Sequence, residues 1–164
     1  MRCFNVFKLL TRASVILLLS SCGIYAPQNT MLGSEMRQVV QILGAPSTRL
    51  TTPKGEVLIY AKGPFGKHTY FVYFNHDNVM ERWTQVLNEK NFGQIKPGMT
   101  KEEIIALIGV SKDTFGLARN RGYVWNYRYE NPYCFWFQVE FTSEHVVRST
   151  GYSKPPECRA RLSF

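Results

Sequence analysis

The chain has 164 residues, 45% of them hydrophobic, with twenty Lys and Arg against twelve Asp and Glu, a formal net charge of +8. That length accommodates one ordinary domain or two very small ones. The positive excess is spread along the chain without a dense Lys/Arg cluster, so nucleic acid is not an expected partner. A modest charge of this sign suits work beside anionic lipid or acidic proteins.

Chemistry begins at the N-terminus. Arg2, Lys8 and Arg12 precede an apolar stretch that ends in Leu19-Ser20-Ser21-Cys22-Gly23. The stretch covers roughly 7–8 residues, far short of the ~20 that span a bilayer as a helix. Small residues before the cysteine suit a processing pocket. The whole resembles the lipobox of a bacterial lipoprotein signal peptide; the alternative is an ordinary secretory leader with a chance cysteine. The resemblance implies loss of residues 1–21 and acylation (palmitate among the chains) of Cys22. Gly23 in place of Asp implies sorting to the outer membrane, with the mature protein facing the periplasm. More than one acyl chain makes such an anchor stable. The mature chain keeps 143 residues, and seventeen basic against twelve acidic ones leave +5.

Cys3 leaves with the leader and Cys22 carries lipid, so Cys134 and Cys158 remain. In an oxidising compartment the pair reads as a disulfide; two buried free thiols are the alternative. The chain-entropy model values a loop of this size at roughly 3 kcal/mol.

Residues 22–31 read as a lipidated tether without apolar periodicity. The rest repeats itself. Gly33 to Gly44 and Gly98 to Gly109 enclose matching apolar patterns at a shift of 65, with Val39, Val40, Ile42 and Leu43 falling on Ile104, Ile105, Leu107 and Ile108. Tyr60, Phe74 and Val79 match Tyr127, Phe141 and Val146 at a shift of 67, which implies a two-residue loop insertion. The expected organisation is a first unit over 32–90, a second over 91–152 and a C-terminal tail over 153–164.

Each copy predicts a short helix followed by a meander. Thr100 and Glu103 have the spacing of a capping box, and Gly109 that of a left-handed C-cap. Ser34 and Glu35 make a weaker start, while Gly44 and Pro46 make a clear stop. Strands are expected at 56–61, 68–75 and 78–86, and again at 123–130, 134–142 and 145–152. The architecture is α+β, each helix covering a three-stranded antiparallel sheet.

Tyr123, Trp125, Tyr127 and Tyr129 alternate, as do Phe135, Phe137, Val139 and Phe141. A turn at Asn131-Pro132-Tyr133 would put both stripes on one covered face. The other face then carries Asn126, Arg128, Glu130, Cys134, Trp136, Gln138 and Glu140, and the tail must fold over it or along its edge to bring Cys158 to Cys134. Phe71 and Tyr73 occupy the same outer face in the first copy. Trp136, Phe71 and Tyr73 are therefore the candidate partner-binding residues, unless the two sheets or the tail cover them.

The stretch Phe92-Gly93-Gln94-Ile95-Lys96-Pro97-Gly98-Met99-Thr100-Lys101-Glu102-Glu103-Ile104, with Leu107, Gly109 and the aromatic strand pair, resembles the SmpA/OmlA (BamE-like) family of small outer-membrane lipoproteins. The resemblance is good over 92–150, weaker over 31–86 and absent from the tail. It implies an accessory or scaffold acting by protein–protein binding, in β-barrel assembly or envelope integrity, with envelope proteins such as the β-barrel assembly machine as partners. The chain departs from that family in having two units and a cysteine pair. Its two-unit layout also resembles β-lactamase-inhibitor proteins, which implies a clamp on a periplasmic or exported enzyme as the alternative.

Catalytic signatures are lacking. His68, His76 and His145 have no ligand spacing, and no G-x-S-x-G elbow occurs. Gly63-Pro64-Phe65-Gly66-Lys67 lacks the spacing of a phosphate loop and reads as a hairpin turn. The expectation is a non-enzyme without cofactor, metal or small-molecule substrate.

Overall fold

The computed structural model describes residues 25–118 and 121–159. The expected leader, Cys22 and residues 160–164 lie outside the described residues. A short 3-10 turn at Asn29–Met31 precedes helix α1 (Met36–Leu43) and an antiparallel meander of β1 (Thr48–Thr52), β2 (Gly55–Lys62), β3 (His68–Phe74) and β4 (Met80–Gln85). After α2 (Glu89–Phe92) and α3 (Lys101–Ile108) comes a second meander of β5 (Asp113–Leu117), β6 (Gly122–Arg128), β7 (Trp136–Phe141) and β8 (Val147–Ser153). A single turn, α4 (Pro156–Arg159), follows.

The architecture is α+β in two units, with four strands in each sheet where three were expected. The additional strands, β1 and β5, pair along one edge of their sheets. Thr-Arg-Leu-Thr-Thr and Asp-Thr-Phe-Gly-Leu carry little apolar alternation. Their pairing rests on backbone bonds to β2 and β6, which leave no periodic mark in the side chains.

The duplication extends to the backbone hydrogen bonds. The Gly33 N–H donates to Met80 O and the Gly98 N–H to Val147 O, both at 2.9 Å. The Met36 N–H reaches Asn78 O at 2.8 Å, as the Lys101 N–H reaches His145 O at 2.9 Å. Each pair of equivalents keeps the offsets of 65 and 67 read from the sequence. At Gly55 and Gly122 a Cβ would come within 2.1 Å of Phe74 O and 2.2 Å of Phe141 O, so the β2–β3 and β6–β7 pairings close only around glycine.

Both helix starts are capped reciprocally. Thr100 accepts from the Glu103 N–H at 3.2 Å while Glu103 accepts from the Thr100 N–H at 2.7 Å. In α1 the pair is Glu35 and Gln38. The ends differ from the expected left-handed cap. Gly44 (φ 82°, ψ −172°) and Gly109 (φ 83°, ψ 179°) turn the chain through an extended positive-φ conformation that is nearly reserved for glycine.

Packing alternates strictly along β2 and β3. Leu58, Tyr60, Tyr70, Val72 and Phe74 pack with Val39 and Leu43 of α1. Val57, Ile59 and Phe71 face the opposite way, into one cluster with Ile104 and Ile108 of α3 and with Trp125, Tyr127, Phe137, Val139 and Phe141 of the second sheet. At the end of α3 a Cβ on Gly109 would lie 3.2 Å from Thr69 Cγ2 and 3.6 Å from Phe71 Cε1. From the other side the Tyr127 hydroxyl donates to Gly109 O at 2.8 Å. The layers run α1, first sheet, α3, second sheet. Helix α3 presents apolar residues to both of its neighbours, with Ile105 and Leu107 partly buried beside Ile104 and Ile108.

Residues 25–31 are not a loose spacer, contrary to the expected tether. Met31 is buried in the α1 cluster, and Trp83 Nε1 donates to Asn29 Oδ1 at 3.0 Å.

Candidate functional site

The expected partner-binding face is closed. Phe71 is 1% exposed and lies between the first sheet and α3. Tyr73 packs partly against the same cluster, with the Arg82 guanidinium 3.3 Å above its ring centre. Trp136 is 8% exposed beneath the Arg128 guanidinium, and its indole N–H donates to Ser153. A β-strand side chain assigned to the outer face stays outside only if no other layer covers that face, and here α3 and the tail do so. Cys134 and Cys158 form the expected disulfide, with Cα atoms 6.3 Å apart. It ties α4 to the loop after β6 and brings Glu157 Oε1 within 2.8 Å of Arg128 Nε. Cys22 lies outside the described residues.

Three exposed aromatic residues gather elsewhere, at the end of the molecule where β2 turns into β3 and β6 into β7. Phe65 is 51% exposed, Tyr133 70% and Tyr152 47%. Two hollows flank the 129–135 loop. One, of about 480 Å³, lies between Pro64 and Phe65 of the first unit and Pro132, Phe135 and Pro155 of the second, with Arg128 and Glu157 in its wall. The other, of about 460 Å³, is bounded by Glu89, Tyr133, Phe135 and Tyr152. Asn131 shapes the loop between them: its Oδ1 accepts from the Phe135 N–H at 3.0 Å and its Nδ2 donates to Phe135 O at 2.8 Å. Large aromatic side chains inside proline- and asparagine-rich turns were the available sequence signal, since turn chemistry itself needs no such residue. The alternation argument passed over them because it weighs strands alone.

The rim is polar and internally satisfied. Tyr129 donates to Glu89 Oε1 at 2.5 Å, and Tyr152 donates to the second oxygen of the same carboxylate. Burial first, then the Glu89 carboxylate, push both hydroxyls well above the ordinary tyrosine range. Glu130 accepts from Lys67 at 2.8 Å and lies 2.9 Å from His68 Nε2. Those two hydrogen bonds hold its carboxyl below the usual range. His68 Nδ1 in turn lies 2.6 Å from the Tyr25 hydroxyl.

The other histidines sit apart from this end: His145 Nδ1 is 2.9 Å from the Tyr123 hydroxyl and His76 Nε2 is 3.2 Å from Pro53 O. Among the described residues no three His, Cys, Asp or Glu side chains gather as a metal site would require. Gly63 to Lys67 form the turn between β2 and β3, with a short 3-10 segment at Pro64–Gly66.

No family model matches this chain, and no curated protein matches it. Two solved structures resemble it weakly. One is an extracellular protein containing an SCP domain from Bacillus anthracis str. Ames, 13% identical, with a TM-score of 0.32 over 84% of this chain and 48% of the other. The second is a DUF4309 family protein (YjgB) from Bacillus subtilis subsp. subtilis str. 168, 12% identical, with a TM-score of 0.30 over 80% of this chain and 88% of the other. The chain spans about half the length of the first. TM-scores this low assign neither fold nor function.

Proposed function

We propose that the protein is a lipid-anchored envelope lipoprotein of BamE-like character, acting without catalysis as an accessory or scaffold that binds a protein partner at the outer membrane. The observation that carries this reading is the aromatic end around Tyr133 and Tyr152, where apolar rings and a satisfied polar rim surround an open hollow. Rigid aromatic anchors with a polar rim are what protein interfaces enrich. The lipobox supplies the address, and the family resemblance over 92–150 supplies the partner class, a component of the β-barrel assembly machine. The inhibitor-like clamp loses the surface it was given, because Phe71 and Trp136 are buried.

Crosslinking and affinity capture of the native protein from envelopes tests the proposal, with Tyr133→Ala beside wild type. The expected result is recovery of β-barrel assembly components and a several-fold loss with the variant. Equal recovery with the variant would remove Tyr133 from the interface. Capture of one unrelated enzyme would replace the accessory role with the clamp.

A further inference from the structure

The outermost strand of the second sheet is open where its counterpart in the first is guarded. Strand β5 lies at the sheet edge, and beyond its ladder with β6 no backbone hydrogen bond reaches Thr114, Phe115, Gly116 or Leu117 among the described residues. A row of unpaired N–H and C=O groups is a template for one more strand, and natural edges are blunted by charge, proline or cover. The other three outer strands follow that rule. Strand β1 carries Arg49, β4 carries Glu81 and Arg82, and β8 carries Arg148. The starts of β4 and β8 are covered as well: Met80 exchanges backbone bonds with Gly33 and Ser34, and Val147 with Gly98 and Met99. At the offset of 65, Arg49 becomes Thr114. The only charge in β5 is Asp113 at its first residue, and Arg128 holds it.

The side chains of β5 are as open as its backbone. Leu50 of β1 packs against the α3 cluster, whereas its equivalent Phe115 is 45% exposed, opposite Val124 of β6. Val110, just before the strand, is exposed as well. On the other face a Cβ at Gly116 would meet nothing within 4 Å, and Gly116 lies opposite Tyr123. A bulky side chain on an added strand would cover that glycine, and another would extend the Phe115–Val124 row. We infer that β5 takes up, by strand addition, an extended polypeptide segment with bulky apolar residues at alternate positions. That is the pattern of a transmembrane β-strand before its barrel closes. The inference deepens the accessory reading and rests on it for the source of the segment; the edge itself needs no anchor. A second copy of the chain is a poorer occupant. Five residues make an edge about 17 Å long. A rigid copy meeting along it would cover roughly a few hundred Å², where stable dimers bury about 1,200 Å² or more. An extended segment meets the same backbone groups and lays its side chains on both faces.

Fluorescence anisotropy of a labelled peptide tests it on the full-length processed protein in detergent. The peptide, about ten residues long, alternates tyrosine and threonine between lysine ends; a second is N-methylated at two successive central residues, which removes a donor from each of its edges. The expected result is saturable binding of the first and about tenfold weaker binding of the second. Gly116→Pro and Thr114→Arg, which restores the guard of β1, are each expected to weaken binding several-fold. Thr114 is exposed, so its replacement leaves the sheet intact, and urea midpoints verify both variants. No binding, equal binding of the two peptides, or full binding by both folded variants would overturn the strand addition, while capture of β-barrel assembly components from envelopes would still stand. Dimerisation abolished by Gly116→Pro would replace the segment with a second copy. Peptide binding by a protein that captures no such component would uphold the strand addition and overturn the barrel strand as its source.

Discussion

The two sheets share one backbone plan and differ in what their second face meets. Residues 67 apart are equivalents, so Ile59 corresponds to Asn126, Phe71 to Gln138 and Tyr73 to Glu140. In the first sheet this face is apolar and packed on α3. In the second it is a hydrogen-bonded layer: Gln138 donates to Asn126 Oδ1 at 2.8 Å, Ser153 donates to Gln138 Oε1 at 2.9 Å, and Arg148 donates to Glu140 at 2.6 Å. One duplicated strand pair thus becomes a two-sided core sheet in one copy and a one-sided sheet in the other. Apolar residues stabilise a face that another layer covers, while a face left with only a tail needs its polar groups paired among themselves.

The sharpest way to break this comparison is to truncate equivalent residues. Phe71→Ala is expected to cost about 3–5 kcal/mol, the range for removing a buried aromatic side chain. Gln138→Ala is expected to cost about 1–3 kcal/mol, since it strands buried Asn126. Urea denaturation of both variants reads the difference; a loss below about 0.5 kcal/mol for Phe71→Ala is a surface value and would reopen the face as a binding surface.

A second pair sharpens the contrast inside the two cores. Tyr127 donates to the Gly109 carbonyl, whereas its equivalent Tyr60 is buried with no hydrogen-bond partner among the described residues. Burial pushes the Tyr60 hydroxyl up to about 12. Tyr127→Phe should therefore destabilise by about 1–2 kcal/mol, while Tyr60→Phe should be neutral or stabilising. A loss of the same size in both variants would show that the two hydroxyls are equivalently satisfied.

The smallest effect concerns the tail. The Arg128 guanidinium holds Glu157 below the usual carboxylate range. A depressed folded pKa contributes stability that is present above the unfolded value, about 4.3, and is lost as pH falls through the folded one. Glu157→Gln should lower stability slightly near pH 7, where that contribution is fully present, and converge with wild type in acid, so that the curve flattens on the acid side of pH 5. Calorimetric midpoints across that window measure it, and an undiminished acid slope would detach Glu157 from Arg128.

Much of the frame was legible. Capped helices, the central strands of both sheets and the offset of the repeat are written in local signals: hydroxyl and carboxylate three apart, period-two aromatics, glycine at the stops. Strands β1 and β5 were not, because Thr48–Thr52 and Asp113–Leu117 pair along the sheet edges with little apolar alternation to mark them. The site was misread for a related reason. Alternation assigns Phe71 and Trp136 to a face, but it is silent on what lies across from that face. Phe65, Tyr133 and Tyr152 belong to turns or a strand end, where periodicity has nothing to say.

By itself, then, the sequence determined the two α+β units and the offset between them, and it pointed to the pairing of Cys134 with Cys158. Each of these depends on neighbours in the chain or on the short list of partners a residue type can take. Only the tertiary structure decided that α3 serves both sheets, that residues 25–31 dock on the first unit, and that Phe65, Tyr133 and Tyr152 collect at one end. Those outcomes depend on how separate layers stack, and stacking joins surfaces whose residues lie far apart in the chain.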